Sequence, residues 1–206
     1  MKRKALILLS VVSMGWSLLR AQTESVPPET KQAPMASSGQ VVIDGKSNRY
    51  LVRRLPVSSF PELPTAVQDL LNRRGCMIPQ TYEAHHPENV IHARLERPES
   101  SDWAVLCSVR GMVTLLVFFG SGPAQPFELA SAPELERLQA HGSDGMLGFN
   151  WAIDPGSPEK IHESQSGMER RPAVVDHDAV ADSVVDHSTI YHFYAKHAWT
   201  LLDVPN

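Results

Sequence analysis

The stretch DWAVLCSVRGMVTLLVFFG, residues 102–120, constrains the fold more than any other part of the chain. In its first half Trp103, Val105 and Cys107 occupy every second position, which is the period of a β-strand. Gly111 supplies a turn, and residues 113–119 are apolar on both faces. The stretch therefore predicts a β-hairpin whose second strand is central and buried.

The only two cysteines of the chain are Cys76 and Cys107. Cys107 shares a strand face with Trp103 and Val105, which we expect to be the core face. Cys76 follows Gly75 at the end of a predicted helix over Pro64–Arg74, within reach of the sheet. Two cysteines in an exported chain most often pair, so we predict a disulfide between them.

Other uses of the cysteines stay open from the sequence. They could be free or buried thiols, ligands of a zinc ion, or a nucleophile. Zinc sites usually draw on close cysteine pairs, and no C-x-x-C is present. The residues that these alternatives would use are His85, His86 and His92 for zinc, and Arg73 and Arg74 beside Cys76 for a reactive thiol.

The N-terminus has the layout of a secretory signal peptide over residues 1–21: basic residues, an apolar run and Ala21 before the predicted cut. A retained membrane anchor is the alternative, although the run is short for a span. Residues 22–40, rich in Pro, Ser, Thr and Gln, predict a flexible linker, and residues 41–206 a single globular domain. We therefore expect a periplasmic or secreted protein without a stable membrane span after cleavage.

The charge balance argues against a nucleic-acid partner. Removal of the predicted signal, which holds four basic and no acidic residues, leaves 15 basic against 23 acidic residues, a net charge of −8. Binding to phosphates needs clustered Lys and Arg instead. We expect an extracytoplasmic protein or a small ligand as the partner, and no cofactor.

The remaining patterns predict an α+β fold: a single domain with an antiparallel β-sheet of hairpins, two or three short helices and one disulfide. Turn residues and apolar periodicity place the elements. We predict strands on both sides of Asp44-Gly45, helices over Pro64–Arg74, Pro133–Ala140 and within residues 172–188, a strand in residues 146–153, and a terminal hairpin from residues 188–194 and 198–204 with its loop at residues 195–197.

The segment Asp176–Asp186 is the main candidate for a metal site. If it were helical, Asp178, Asp182 and Asp186 would share one face, flanked by His177 and His187. The alternative is a solvated acidic face in which an aspartate caps the helix. The other candidates weighed are His192 with His197 across the terminal hairpin, His85-His86 before Pro87, and the acidic cluster Glu96, Glu99 and Asp102.

Four words in the sequence, GCMIPQ, PENVI, DWAVLCS and the late HDAVAD…STIYHFY…W, make residues 63–203 resemble a family of uncharacterised exported bacterial proteins. This resemblance implies export and no particular activity. Residues 89–118 are also similar to an FG-GAP-type propeller repeat, with Leu95–Ser101 in place of the calcium loop. That loop lacks the D-x-D-G core, so the similarity does not imply calcium binding.

Searches for catalytic motifs in the sequence find no G-x-S-x-G, H-E-x-x-H, Walker loop or G-x-G-x-x-G. We therefore predict a non-enzymatic periplasmic or secreted binding or interaction domain. One alternative is a metal-dependent site built on Asp176–Asp186 with the nearby histidines. Another is a periplasmic inhibitor of a cell-wall hydrolase, which rests on size, compartment and disulfide alone.

Overall fold

A computed structural model describes residues 35–122, 125–166 and 175–203. The predicted signal peptide and most of the predicted linker lie outside these residues. The described chain is dominated by strands and contains two helices. The strands are β1 Met35–Ile43, β2 Lys46–Pro56, β3 Met77–Gln80, β4 Val90–Ala93, β5 Asp102–Val109, β6 Met112–Phe118, β7 Phe127–Pro133, β8 Leu138–His141, β9 Met146–Phe149, β10 Trp151–Gly156, β11 Ala179–Val184, β12 Ser188–Ala195 and β13 Ala198–Asp203; the helices are α1 Thr65–Arg74 and α2 Pro158–Ser164.

The strands form two sheets. The larger has nine strands in the order β7-β6-β5-β3-β2-β9-β8, with β1 added to β2 and β4 added to β5. The smaller has the order β10-β11-β12-β13. Every pairing is antiparallel except that of β2 with β9, where Tyr50 lies opposite Leu147 and Leu51 opposite Gly148. The sequence predicted a single antiparallel sheet. The structure instead has two sheets, and the larger one contains one short parallel pairing.

The elements stack in four layers around three apolar clusters. One cluster fills the space between helix α1 and the large sheet, and includes Leu71, Trp103 and Leu116. A second lies between the two sheets. The third joins the small sheet to Ile161 of helix α2 and includes Tyr191. The centre of the large sheet is therefore buried on both faces, which explains the near-continuous apolar runs in β5 and β6.

The hairpin over residues 102–120 and helix α1 are confirmed. Strands β5 and β6 pair in one continuous register, in which Trp103 lies opposite Phe118 and Val109 lies opposite Met112. The second strand, β6, lies between β7 and β5 and is mostly buried, as predicted. Helix α1 ends at Gly75, whose φ of 72° suits a glycine C-cap. The first and last predicted hairpins are also present, with two-residue turns at Asp44-Gly45 and at residues 196–197.

Cys76 and Cys107 form a disulfide, with their Cα atoms 5.3 Å apart. Neither is a free thiol, so the alternatives of a zinc site or a nucleophile are wrong for this form of the chain. Both residues are buried in the cluster under helix α1, and Cys107 shares this cluster with Trp103 and Val105, on the predicted core face. The bridge joins the end of the helix to the centre of the sheet.

Two predicted helices are wrong. Pro133–Ala140 forms the end of β7, a short 3-10 turn and β8, because Glu134 turns inward and pairs with the buried Arg54. Residues 179–184 form strand β11 instead of a helix. Val180 packs between the sheets while its neighbours Ala179 and Ala181 face helix α2, so burial alternates as in a strand.

Two boundaries also differ from the predictions. Strand β1 begins at Met35, so residues 35–40 of the predicted linker belong to the sheet. Their side chains are mostly exposed, and pairing of the backbone with β2 replaces the missing apolar pattern. The strand predicted in residues 146–153 is two strands that separate at Asn150 and join different sheets. Within the described residues, neither helix is long and apolar enough to cross a membrane.

Candidate functional site

Strand β1 forms an edge of the large sheet. Strand β2 pairs with all of β1 along one side, and on its other side it pairs with β9 near Tyr50 and with β3 from Arg53 onward. Nothing in residues 35–122, 125–166 or 175–203 pairs with the outer side of β1. This outer side, which we call the β1 edge, offers unpaired backbone N–H and C=O groups.

The turn between β1 and β2 decides which residues offer those groups. Asp44 and Gly45 have φ angles of 50° and 74°, as a two-residue type I′ turn requires. The pair that flanks such a turn, Ile43 and Lys46, exchanges hydrogen bonds, and hydrogen-bonded pairs then alternate along the hairpin. The outward backbone groups of β1 therefore belong to Ala36, Ser38, Gln40 and Val42.

The β1 edge lacks the usual protection of an edge strand. Its sequence MASSGQVVI contains no charged residue and no proline, and nine consecutive residues pair with β2 without a bulge. Three of its side chains are large, apolar and exposed: Met35 by 50%, Val42 by 70% and Ile43 by 40%. A long, uncharged edge without a bulge is the type of strand to which another strand adds.

A buried ion pair holds β1 to the body of the protein. The guanidinium of Arg54 in β2 donates to both carboxylate oxygens of Glu134, and both residues are buried. Glu134 also accepts a hydrogen bond of 3.0 Å from Ser108. Arg54 Nη2 donates a further bond of 2.9 Å to Ser37 Oγ in β1. The edge strand is thus fixed to β2 by side-chain contacts as well as by its backbone.

A groove with a volume of about 420 Å³ lies at the start of β1. Its walls are mostly apolar and include Met35, Leu55 and Pro87. Arg53 Nη2 donates hydrogen bonds of 3.0 and 3.1 Å to the carbonyls of Thr81 and Ala84, which tie the loop on the far wall to β2. His85 and His86, a candidate pair from the sequence, line this same groove. The groove can take an apolar side chain of a strand lying on the β1 edge.

The aspartates of the predicted metal segment contact separate partners. Asp178 receives hydrogen bonds of 3.0 and 3.1 Å from the Arg94 guanidinium and one of 3.0 Å from its backbone N–H. Burial raises the pKa of Asp178, but the hydrogen bonds and charge of Arg94 outweigh burial and hold that pKa below its usual value. Asp178 therefore acts as the anionic partner of Arg94.

Asp182 lies between the two sheets. It accepts a hydrogen bond of 2.6 Å from Trp151 Nε1 and contacts His192 Nε2 at 3.0 Å. His192 and Trp151 are buried, so this pair is closed off from solvent. Asp186 instead accepts a bond of 3.3 Å from the hydroxyl of Tyr82 at the surface. Burial, followed by nearby carboxylates, raises the pKa of that tyrosine.

His177 lines a second cleft of about 470 Å³. Its Nδ1 lies 2.6 Å from a carboxylate oxygen of Asp176, and its Nε2 lies 2.9 Å from the carbonyl oxygen of Tyr194. Both ring nitrogens are occupied, so neither is available as a base or a metal ligand. His197 lines the same cleft from the terminal turn, and His187 is exposed in another turn.

No group of three His, Cys, Asp or Glu side chains that could hold a metal occurs among residues 35–122, 125–166 and 175–203. The predicted metal site required the aspartates to share one face of a helix. That prediction is wrong because residues 179–184 form a strand. A spacing of four residues keeps side chains on one face in a helix and also in a strand. The spacing therefore could not distinguish the two.

The acidic cluster before β5 has a structural contact at its centre. Asp102 is fully buried and accepts hydrogen bonds of 2.7 Å from the N–H groups of Leu95 and Glu96 and of 2.8 Å from Gly120. This carboxylate closes the loop of residues 95–101. Glu96 pairs with Arg97, so the cluster does not form a carboxylate pair across a cleft. His92 lies nearby, stacked on Trp103 and bonded to Ser101.

The sequence interpretation missed the β1 edge. The available signal was the uncharged run of residues 35–43 directly before a two-residue hairpin turn. The polar residues in this run made it resemble a linker. Comparison with known proteins found no matching family model, no matching curated protein and no matching solved structure.

Proposed function

We propose that this chain is a non-enzymatic periplasmic or secreted binding domain, and that its partner adds a strand to the β1 edge. The observation that carries the proposal is the row of outward backbone groups along nine uncharged residues. Such groups bind an extended polypeptide through main-chain hydrogen bonds. The adjoining groove adds selection for an apolar side chain in the partner.

The disulfide supports the compartment in this proposal. A buried bridge between helix and sheet is typical of proteins that fold in an oxidising environment. The predicted signal over residues 1–21 belongs to the same expectation. Periplasm and external medium are both oxidising, so the proposal covers both.

A peptide selection with two variants tests the binding site. Ser38→Pro removes an outward N–H of β1 but breaks no hydrogen bond to β2. An edge-strand position whose N–H points away from the sheet is one that tolerates proline. Ser38→Ala removes the same hydroxyl but keeps the N–H. We expect displayed random peptides to enrich on the wild-type chain and on Ser38→Ala, and not on Ser38→Pro. Enrichment that is equal on all three would contradict strand addition.

A separate assay tests the non-enzymatic part. The purified chain would be incubated with ester, peptide, glycoside and phosphoester reporter substrates at neutral pH. We expect no turnover above that of the heat-denatured chain. Turnover that a single point substitution abolishes would refute this part. The metal-dependent site and the cell-wall hydrolase inhibitor remain predictions from the sequence, because no contact among the described residues favours either.

A further inference from the structure

Resting on the proposed strand addition, we infer that one partner of the β1 edge is a second copy of this chain. Two β1 strands would pair antiparallel across a two-fold axis at Gly39, which joins the two large sheets into one. The inference follows from the backbone register, the side chains and the charge of the edge. The backbone groups and the side chains of the edge complement those of a second copy in the arrangement centred on Gly39, and the absence of charge on β1 permits the contact.

The register centred on Gly39 satisfies all the outward backbone groups. Ala36 lies opposite Val42 of the second copy, and Ser38 lies opposite Gln40 of the second copy. Each is a pair of outward residues, so each can exchange two hydrogen bonds as in a regular antiparallel ladder. Shifting the register by two residues leaves an outward residue at the end of each strand without a partner. The hydrogen-bonding pattern therefore selects the centred arrangement.

Gly39 suits the position on the axis. The two glycines would face each other in a pair without mutual hydrogen bonds, where opposing Cα atoms come as close as about 4.5 Å. A Cβ on Gly39 would lie 3.0 Å from ring atoms of Tyr50, so this ring covers the glycine from one face. The Tyr50 rings of the two copies would then meet above the axis.

The exposed apolar side chains of β1 match in the same register. They lie at the ends of the strand, with Met35 and Ala36 at one end and Val42 and Ile43 at the other. The two-fold axis brings opposite ends together, so Met35 faces Ile43 of the second copy and Ala36 faces Val42. Apolar surface then covers apolar surface at both ends, while the small polar residues lie at the centre.

Charge also favours this edge over other surfaces for self-association. Residues 57–206 carry ten Lys and Arg against 20 Asp and Glu, so most surfaces of two copies repel each other. Strand β1 carries no charge. The basic residues of β2 would lie three strand spacings from those of the second β2, about 14 Å. That distance exceeds the screening length of about 8 Å at physiological salt, so their repulsion is weak.

The size of the contact predicts a weak dimer. Nine extended residues span about 30 Å, and the edge is about 10 Å high with its side chains. The resulting contact is smaller than the roughly 1,200 Å² of a stable complex. We therefore expect reversible association with a dimer Kd between about 10 µM and 1 mM.

Sedimentation equilibrium of the exported chain tests the inference. We expect a monomer–dimer equilibrium for the wild type and for Ser38→Ala, and association weaker by about tenfold or more for Ser38→Pro, which loses two hydrogen bonds per dimer. Circular dichroism and thermal unfolding of Ser38→Pro verify that the hairpin is intact. A mixture of isotope-labelled and unlabelled chains should show an intermolecular Hα–Hα contact between Ser37 and Val41.

Each outcome decides between the possibilities. A monomer at 1 mM, or a dimer that Ser38→Pro leaves unchanged, overturns the inference of self-pairing. If the peptide selection still succeeds in that case, the proposed function stands and the partner is another protein. If the selection also fails, strand addition at β1 is wrong altogether. A dimer that lacks the Ser37–Val41 contact overturns the register centred on Gly39.

Discussion

Removal of the disulfide should destabilise the domain strongly. The perturbation is the double substitution Cys76→Ala and Cys107→Ala, compared with the wild type in oxidised and reduced form. The bridge closes a loop with a sequence separation of 31 and lies in the core under helix α1. Loss of the bridge increases the conformational entropy of the unfolded chain. The double variant also loses two buried sulfur atoms.

The two contributions can be estimated separately. The chain-entropy relation for a loop of this length predicts about 3.7 kcal/mol of lost stability on reduction. Cys76 has no exposed surface and Cys107 is 3% exposed, so truncation to alanine leaves small cavities. These cost about 1 kcal/mol more, less than a typical Leu→Ala change because fewer atoms are lost. We expect total losses of about 4 kcal/mol on reduction and about 5 kcal/mol for the double variant.

Urea unfolding monitored by tryptophan fluorescence measures both losses. The reduced chain should also show a steeper dependence on urea, because its unfolded state is less compact than the cross-linked one. The two single alanine variants should each lose nearly as much stability as the double variant, since either one breaks the bridge. A loss below about 1 kcal/mol on reduction would refute the reasoning. So would an unchanged urea dependence.

Three further predictions concern side chains in the body of the domain. Glu134→Ala leaves Arg54 buried without its anion and should cost about 3–5 kcal/mol in urea unfolding. Asp178→Asn should cost about 1–2 kcal/mol at pH 7. Because the folded pKa of Asp178 is depressed, its contribution is complete above the unfolded pKa of about 4 and disappears as the pH falls through the folded value. Gly148→Ala places a Cβ 2.5 Å from a tyrosine side chain and should lower stability by about 1–3 kcal/mol.

Matched variants control the Glu134 and Gly148 measurements, and the pH dependence controls that of Asp178. Glu128→Ala removes a carboxylate from an exposed pair with Arg74 and should change stability by less than about 0.5 kcal/mol. Gly122→Ala adds a Cβ where no atom lies within 4 Å, so it should be neutral. If Glu134→Ala were as mild as Glu128→Ala, the pair would not be buried in solution. An Asp178→Asn deficit that persists unchanged at pH 2 would contradict the assignment of a depressed pKa.

Local patterns in the sequence were sufficient where one short stretch decides its own conformation. Alternation from Trp103 to Val109 predicted strand β5, and Gly75 predicted the end of helix α1. Asp44-Gly45 predicted the first hairpin turn, because only a few residues adopt its positive φ angles without strain. The disulfide prediction followed from the presence of two cysteines and a predicted export signal. These inferences need only neighbouring residues or a simple count.

Tertiary contacts decided the elements whose local signals were ambiguous. Residues 133–140 offered a helical spacing, but burial of Glu134 against Arg54 turned the chain instead. The spacing of four in Asp176–Asp186 fitted a helix and a strand equally, and packing of Val180 between two sheets selected the strand. The long-range strand order then sent each aspartate to a different partner.

The β1 edge belongs to this second class. The sequence by itself determined that residues 35–43 are uncharged and precede a hairpin turn. Which side of the hairpin stays free depends on β3 and β9, which come later in the chain and both pair with the inner strand. An edge is a property of strand order, and strand order comes from contacts between distant residues. Only the tertiary structure could therefore reveal the surface to which we assign the function.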